Sequence, residues 1–267
     1  MQSPWGEKLM CRLAAWIGET RPLEDIVLRP SHSLLEQAQD ANEAKLSVNG
    51  DGFGIAWYDA ERGPGLYRDV MPAWSDGNLP SLCKMIRSDL FLAHVRASTA
   101  GGTSRANCHP FTHGRWSFMH NGQIGGFGRL RRRLEGLLPD ALYNARAGSA
   151  DSEVLFYLLI ANGLEDDPER TIGSVLSLLE DLRLPEDAPD RLTCVLANGK
   201  ALYAFRHASD KKCPTLYERR AGDGVTLASE PLEGDASGWD AVPPGQLLKV
   251  QAGERSITPL QLNAVAA

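Results

Sequence analysis

The chain has 267 residues, enough for one large domain or two small ones with an ample core. Its composition, 43% hydrophobic and 23% charged, is ordinary for a globular protein. The formal net charge of −6 argues against a general nucleic-acid binder, which gains affinity by neutralising phosphates. No apolar run approaches the roughly 20 residues needed to span a bilayer, so a membrane protein is not expected.

Four strands are predicted in the first half of the chain, at residues 11–18, 54–58, 89–95 and 116–120. Each is a short apolar run bounded by turn residues, as is typical of strands. Each also leads into a polar or glycine-rich loop, where catalytic groups are often found.

A basic run follows these strands and predicts one amphipathic helix with a solvated basic face. The run contains Arg129, Arg131, Arg132 and Arg133, with Leu130, Leu134, Leu137 and Leu138 interleaved.

Two further helices are predicted next. The first begins at residues 151–153 and ends near Gly163, and the second opens at 167–169 with Pro168 in its first turn. A hairpin through Asn198-Gly199 and later strands at 225–228 and 246–250 complete the pattern. Strands, then helices, then strands indicate an α+β fold with segregated layers.

Five cysteines are scattered through the chain without a CxxC pair: Cys11, Cys83, Cys108, Cys194 and Cys213. This odd, dispersed set suits a reducing compartment better than a disulfide framework. The residues before Met10 also lack the apolar segment of a secretory signal. We therefore expect a cytoplasmic protein.

Cys11 is the first candidate for chemistry. Cysteine is the most nucleophilic side chain near neutral pH, but its thiol needs a base to become a thiolate. An α-amino group titrates near 7.7–8.0, so an N-terminal cysteine carries its own proton acceptor. Removal of residues up to Met10 would free that amine. Taken alone, a cysteine with apolar neighbours is more often a core residue.

Three more patterns are candidates, each with a structural alternative. Arg96 at a predicted strand end could grip a carboxylate at two points, or form a surface ion pair. Asn121 and Gly122 could direct two N–H groups at a developing negative oxygen, or form a simple turn. Asp151 at a helix start could receive a substrate ammonium, or cap the helix.

Taken in order, these residues resemble the class II glutamine amidotransferase domain of the N-terminal-nucleophile hydrolase superfamily. The resembling motifs are MCRL at 10–13, NGDGFG at 49–54, HVRAST at 94–99, NCHPF at 107–111, MHNG at 119–122, DSE at 151–153 and ASEPL at 228–232. Three motifs are similar to those of small stand-alone members, namely the amidotransferase-like subunit of the yeast glutathione-degradation complex and the γ-glutamyl hydrolases of ergothioneine synthesis. They are RPSHSLL at 29–35, PAWSD at 72–76 and NCHP at 107–110.

The resemblance implies a four-layer αββα sandwich that needs no cofactor and no metal. It implies that Cys11 is the nucleophile, with its own amine as general base, and that Asn121 and Gly122 form the oxyanion hole. The residues that it implies for substrate binding are Arg96 and Thr99 on the α-carboxylate, Asp151 on the α-ammonium and His109 in the wall of the site.

The resemblance also implies the domain organisation and the reaction. Residues 11–267 would form one domain, and residues 1–10 an extension (a mis-called start, a tag or a propeptide) that is absent from the active form. The expected reaction is hydrolysis of the γ-glutamyl amide of glutamine or of a γ-glutamyl thiol compound such as glutathione, through a thioester. Only about 35 residues follow the last motif, too few for a synthase domain. The alternative is therefore a glutaminase that supplies ammonia to a separate synthase, and a peptidase or synthase partner subunit stays open.

Two rival hypotheses use other residues. A zinc-binding module could be built from Cys108, His109, His113 and His120, although Pro110 breaks any helix that would align the first two histidines. Alternatively, Cys108 could be an internal nucleophile paired with His94 or His120.

Overall fold

The computed structural model describes residues 11–43, 48–59, 62–97, 102–210, 212–233 and 235–262. Its helices are α1 Glu24–Val27, α2 Leu34–Gln39, α3 Leu79–Met85, α4 Phe127–Glu135, α5 Asp140–Ala145, α6 Asp151–Ala161 and α7 Pro168–Leu182. Its strands are β1 Arg12–Pro22, β2 Phe53–Trp57, β3 Gly65–Asp69, β4 Arg87–Val95, β5 Phe111–His113, β6 Trp116–Gln123, β7 Arg191–Ala197, β8 Ala201–Ala208, β9 Tyr217–Ala221, β10 Gly224–Ala228, β11 Asp240–Ala241, β12 Gln246–Gln251 and β13 Glu254–Pro259.

The described strands form two antiparallel sheets. The first has the order β11-β9-β10-β1-β4-β2-β3, and the second has the order β13-β12-β8-β7-β6-β5. In the first sheet, Arg12 at the start of β1 is opposite Val95 at the end of β4. This register brings Cys11, just before β1, beside the residues that follow β4.

Three groups of buried apolar side chains separate four layers. One lies between the sheets and includes Leu13, Leu92 and Met119. A second packs α1, α2 and α3 against the outer face of the first sheet, and a third packs α4, α6 and α7 against the outer face of the second. The αββα sandwich is confirmed. The alternation of side chains along each strand explains it, because successive residues point to opposite faces of a sheet.

Most predicted elements are present. The helix at Pro168–Leu182 begins where expected, with the Asp167 side chain accepting the Arg170 N–H. The Asn198-Gly199 turn joins β7 to β8 as expected. Within the described ranges, no helix has the length and apolar character that a membrane crossing requires.

The prediction for the basic helix is wrong at its carboxyl end. Helix α4 stops at Glu135 and Gly136 follows it, so the side chain of Leu137 lies outside the helix and is 48% exposed. Leu130 and Leu134 are buried as expected. On the basic face of α4, Arg129 forms an ion pair with Asp187.

Candidate active site

Cys11 lies just before β1, an interior strand of the first sheet, and beside the end of the neighbouring strand β4. Its thiol donates to the carbonyl oxygen of Ala97 at 3.5 Å, and the Ala97 N–H approaches the sulfur at 3.4 Å. Burial raises the pKa of the Cys11 thiol, although the Ala97 backbone hydrogen bond and the guanidinium groups of Arg96 and Arg12 act in the opposite direction. The thiol is therefore protonated at neutral pH, and a nucleophilic role needs a base.

Arg96 is buried one residue beyond β4. Its N–H donates to the Gly52 carbonyl at 2.8 Å, and its own carbonyl accepts the N–H of Asp51 at 2.9 Å. These two bonds fix the backbone of Arg96 against the NGDG turn. The guanidinium also lies close enough to Cys11 to lower the pKa of the thiol. Sequence reasoning offered a surface ion pair as the alternative for Arg96, and its burial contradicts that alternative.

His94 and His109 form a buried aromatic pair beside Arg96, with ring centroids 4.3 Å apart. Burial and the Arg96 charge lower the pKa of His94 to about 3, and burial and the neighbouring His94 lower the pKa of His109. Both rings are therefore neutral near pH 7. Neither ring nitrogen of His109 has a hydrogen-bond partner among the described residues, which is unusual for a buried polar group.

Asn121 and Gly122 do not form a turn, because β6 continues through them and pairs with Thr193 and Leu192 of β7. The Asn121 side chain is 0% exposed, and its amide nitrogen and oxygen both lack a partner within the described ranges. Gly122 has φ of 137°, and a Cβ there would lie 1.7 Å from the carbonyl oxygen of Arg191. Only glycine fits this position.

Asp151 is the first residue of helix α6, and its carboxylate accepts hydrogen bonds from backbone N–H groups. Its Oδ2 accepts the Ile124 N–H at 2.8 Å, and its Oδ1 accepts the Ser152 N–H at 2.8 Å. Its Oδ1 also accepts the Ser152 hydroxyl at 3.3 Å. An ionised carboxylate offers about four acceptor positions, so these three bonds leave room for a further donor. Its charge raises the pKa of the Cys11 thiol, which brings Asp151 into the same electrostatic environment as Cys11.

The side-chain alternation directs several of these groups to the space between the sheets. Leu13 and Met119 belong to the inter-sheet core. Cys11 and Asn121 are each two residues from one of them, so they face the same side. The thiol and the unpartnered amide thus both face the space between the sheets.

The remaining sequence-based candidates have three different outcomes. Thr99 and residues 1–10 fall outside the described residues. The proposed zinc ligands do not converge, since the described part of the chain holds no group of three His, Cys, Asp or Glu that could bind a metal. Cys108 is buried, and its thiol donates to the carbonyl of Asp69 at 3.3 Å. Burial raises its pKa.

Arg12, Glu230 and His32 form a group of contacts next to Cys11, and the sequence alone predicts no role for them. Arg12 is fully buried and pairs with Glu230, which also contacts His32. Arg12, His32 and Glu230 each belong to a motif on which the family resemblance is based. That membership is the one signal in the sequence that could have identified them. Their convergence depends on chain folding and could not be derived from spacing.

Comparison with known proteins places this architecture in a family. The model of the glutamine amidotransferases class-II matches residues 29–218. The Saccharomyces cerevisiae protein named "Probable glutamine amidotransferase DUG3" is 32% identical over 91% of this chain and 82% of its own length. "Gamma-glutamyl-hercynylcysteine sulfoxide hydrolase" of Mycolicibacterium smegmatis is 32% identical over 94% of this chain and 100% of its own. A solved glutamine aminotransferase class-II domain protein from Silicibacter pomeroyi is 37% identical with a TM-score of 0.75, covering 96% of this chain and 100% of that one.

Proposed function

This chain belongs to the class II glutamine amidotransferases, and we propose that it hydrolyses the γ-glutamyl amide of glutamine or of a γ-glutamyl thiol compound. The observation that carries the proposal is the Cys11 thiol of raised pKa, which faces the same inter-sheet space as the unpartnered Asn121 amide. Such a thiol needs a base, and the α-amine of Cys11 supplies one when the active chain begins at that residue.

The first step forms a thioester. The α-amine takes the proton of the Cys11 thiol, and the sulfur attacks the γ-carbonyl carbon of the substrate. The side-chain amide of Asn121 and the N–H of Gly122 stabilise the negative oxygen that develops. The amine then gives its proton to the leaving nitrogen, the C–N bond breaks, and a γ-glutamyl thioester remains on Cys11.

The second step regenerates the enzyme. The amine, neutral again, takes a proton from a water molecule whose oxygen attacks the thioester carbon. The C–S bond breaks, glutamate leaves, and the proton returns to the sulfur. One base therefore serves both steps, and the protein itself is neither oxidised nor reduced.

The amino-acid end of the substrate is held by charge. Arg96 and Thr99 bind the α-carboxylate, and Asp151 binds the α-ammonium through the acceptor position that its bonds to Ile124 and Ser152 leave. The neutral ring of His109, with no partner among the described residues, lines the same site. This arrangement selects a γ-glutamyl group and leaves the amine side of the substrate unspecified.

Direct hydrolysis is favoured over ammonia supply. The γ-glutamyl hydrolase of Mycolicibacterium smegmatis is matched over 100% of its own length, and its name supports hydrolysis. The alternative is a glutaminase that works with a separate synthase or peptidase subunit, and the amidotransferase name of the yeast relative supports it. All five cysteines are unpaired, which supports a cytoplasmic location.

A substrate panel tests the proposal. Protein beginning at Cys11 is incubated with glutamine, glutathione and other γ-glutamyl compounds, and released glutamate is measured. We expect Cys11→Ala to abolish release and Cys108→Ala to retain it. Loss of activity in the Cys108 variant, with a normally folded protein, would instead support the rival nucleophile. Release from glutamine alone would favour the ammonia-supplying alternative.

A further inference from the structure

Glu230 is a buried carboxylate on which separate segments of the chain converge. Its side chain is 1% exposed. Its Oε1 lies 2.7 Å from Arg12 Nε and accepts the Glu43 N–H at 2.8 Å. Its Oε2 lies 2.8 Å from His32 Nε2 and accepts the Asn42 N–H at 2.9 Å. Burial raises the pKa of Glu230, but these partners outweigh it and the pKa lies below its usual value. Glu230 is therefore ionised at neutral pH.

Arg12 connects this carboxylate to Cys11. Its Nη1 donates to the Cys11 carbonyl oxygen at 2.9 Å while its Nε faces Glu230. Ser229, the residue before Glu230, contacts the residue that follows Arg12 in β1. Its hydroxyl accepts the Leu13 N–H at 3.0 Å. The backbone on both sides of Arg12 is thus tied to the 229–230 segment.

Arg12 cannot reach a substrate between the sheets. Ala14 and Trp16, on the same face of β1 as Arg12, pack in the outer core under α1, α2 and α3. Arg12 can therefore affect catalysis only through its bond to the Cys11 backbone or through the charge of its own guanidinium.

We propose that Arg12 and Glu230 are positioning residues that hold Cys11 in its reactive orientation and set the charge around its α-amine. This inference rests on the proposed function of Cys11. A terminal residue normally frays, because no preceding chain restrains it. The bond from Arg12 to the Cys11 carbonyl supplies that restraint, because it fixes the backbone of Cys11 at the start of β1. The Arg12 cation also disfavours the ammonium form, and the Glu230 anion opposes this effect.

Opposite charge changes should therefore shift the amine in opposite directions. Arg12→Met removes a cation and should raise the pKa of the amine, whereas Glu230→Gln removes an anion and should lower it. The other charged or titratable groups facing this region stay in place: Arg96, Asp151, His32 and Glu43. The acid limb of kcat/KM, which requires a neutral amine, should follow these shifts. General disruption of the fold would not produce two shifts of opposite sign.

The experiment uses protein beginning at Cys11 in five forms: the parent, Arg12→Met, Glu230→Gln, the double variant, and Glu233→Gln as matched control. Glu233 is three residues further on and pairs with Arg219 at the surface. NMR titration of a labelled Cys11 amine gives its pKa without needing turnover. Glutamate release gives kcat and KM, and urea unfolding gives stability.

We expect each single variant to lose roughly 10- to 100-fold in kcat, with KM within about threefold of the parent. The control should match the parent. Each single variant leaves a buried charge without its partner and should lose stability. The double variant removes both buried charges, so it should regain stability but not kcat, because nothing then holds the Cys11 carbonyl. Recovery of kcat together with stability, or identical amine pKa values in all variants, would overturn the inference. The two variants could show opposite shifts of the amine pKa while the parent protein releases no glutamate. That result would refute the proposed function but would establish the charge coupling.

Discussion

Replacing Asn121 by alanine should separate catalysis from stability. The amide is fully buried and has no hydrogen-bond partner among the described residues. Its truncation creates a small cavity, but it also removes a desolvated polar group that costs the fold about 1–3 kcal/mol. These effects oppose each other, so the free energy of unfolding should change by less than about 1 kcal/mol.

The rate should respond very differently. Loss of one donor to the developing oxyanion costs roughly 100- to 1,000-fold in kcat, or about 2.7–4 kcal/mol of transition-state stabilisation. Urea unfolding and steady-state glutamate release on the same preparation measure both quantities. Asn49→Ala is the matched control for stability, because Asn49 is equally buried and its amide donates to the Gln37 carbonyl at 3.2 Å. An Asn121 variant that keeps kcat within about threefold of the parent would refute the oxyanion role.

Three further predictions follow from particular contacts. Arg96→Lys should raise KM for glutamine at least about tenfold in steady-state assays, since lysine cannot bind a carboxylate at two points. Burial raises the pKa of Asp190 to about 6 from its ordinary 3.8. Between about pH 4 and 6 the Asp190 carboxyl is therefore protonated in the folded state but ionised in the unfolded state. The free energy of unfolding should fall by up to about 3 kcal/mol as pH rises from about 4 to 6. In urea unfolding across that range, Asp190→Asn, which can still accept the Gly125 N–H, should abolish the fall. Leu134→Ala should destabilise the fold by about 2–5 kcal/mol and Leu137→Ala by less than about 0.5, as measured by urea unfolding. Equal losses for the two leucines would contradict the observed end of α4.

The elements that the sequence predicted are those whose signals are local. Helix α7 combines a capping Asp167, a proline in its first turn and an apolar face that repeats with the helical period. Helices α1 and α2 have only 4 and 6 residues and too little periodicity to detect, so neither was predicted. Their positions depend on packing against the first sheet, which no local pattern reports.

The candidate site shows the same division. Cys11 and Arg96 are candidates from the sequence because the side chain of each has an evident chemical use, a nucleophilic thiol and a carboxylate-binding guanidinium. The Asn-Gly pair was ambiguous, since the same dipeptide is typical of turns, and only its pairing with β7 resolves that ambiguity. The contact between Arg12 and Glu230 joins two ends of the chain through strand pairing, and it required the folded structure.

If the α-amine of Cys11 is the catalytic base, blocking that amine should abolish the reaction of the Cys11 thiol. Two otherwise identical proteins are compared, one beginning at Cys11 and one retaining Met10, with intact mass confirming each terminus. Both are treated with a glutamine-mimicking electrophile and assayed for glutamate release. We expect rapid labelling of Cys11 and turnover only in the protein that begins at Cys11. Equal labelling and turnover with Met10 in place would show that the amine is not the base.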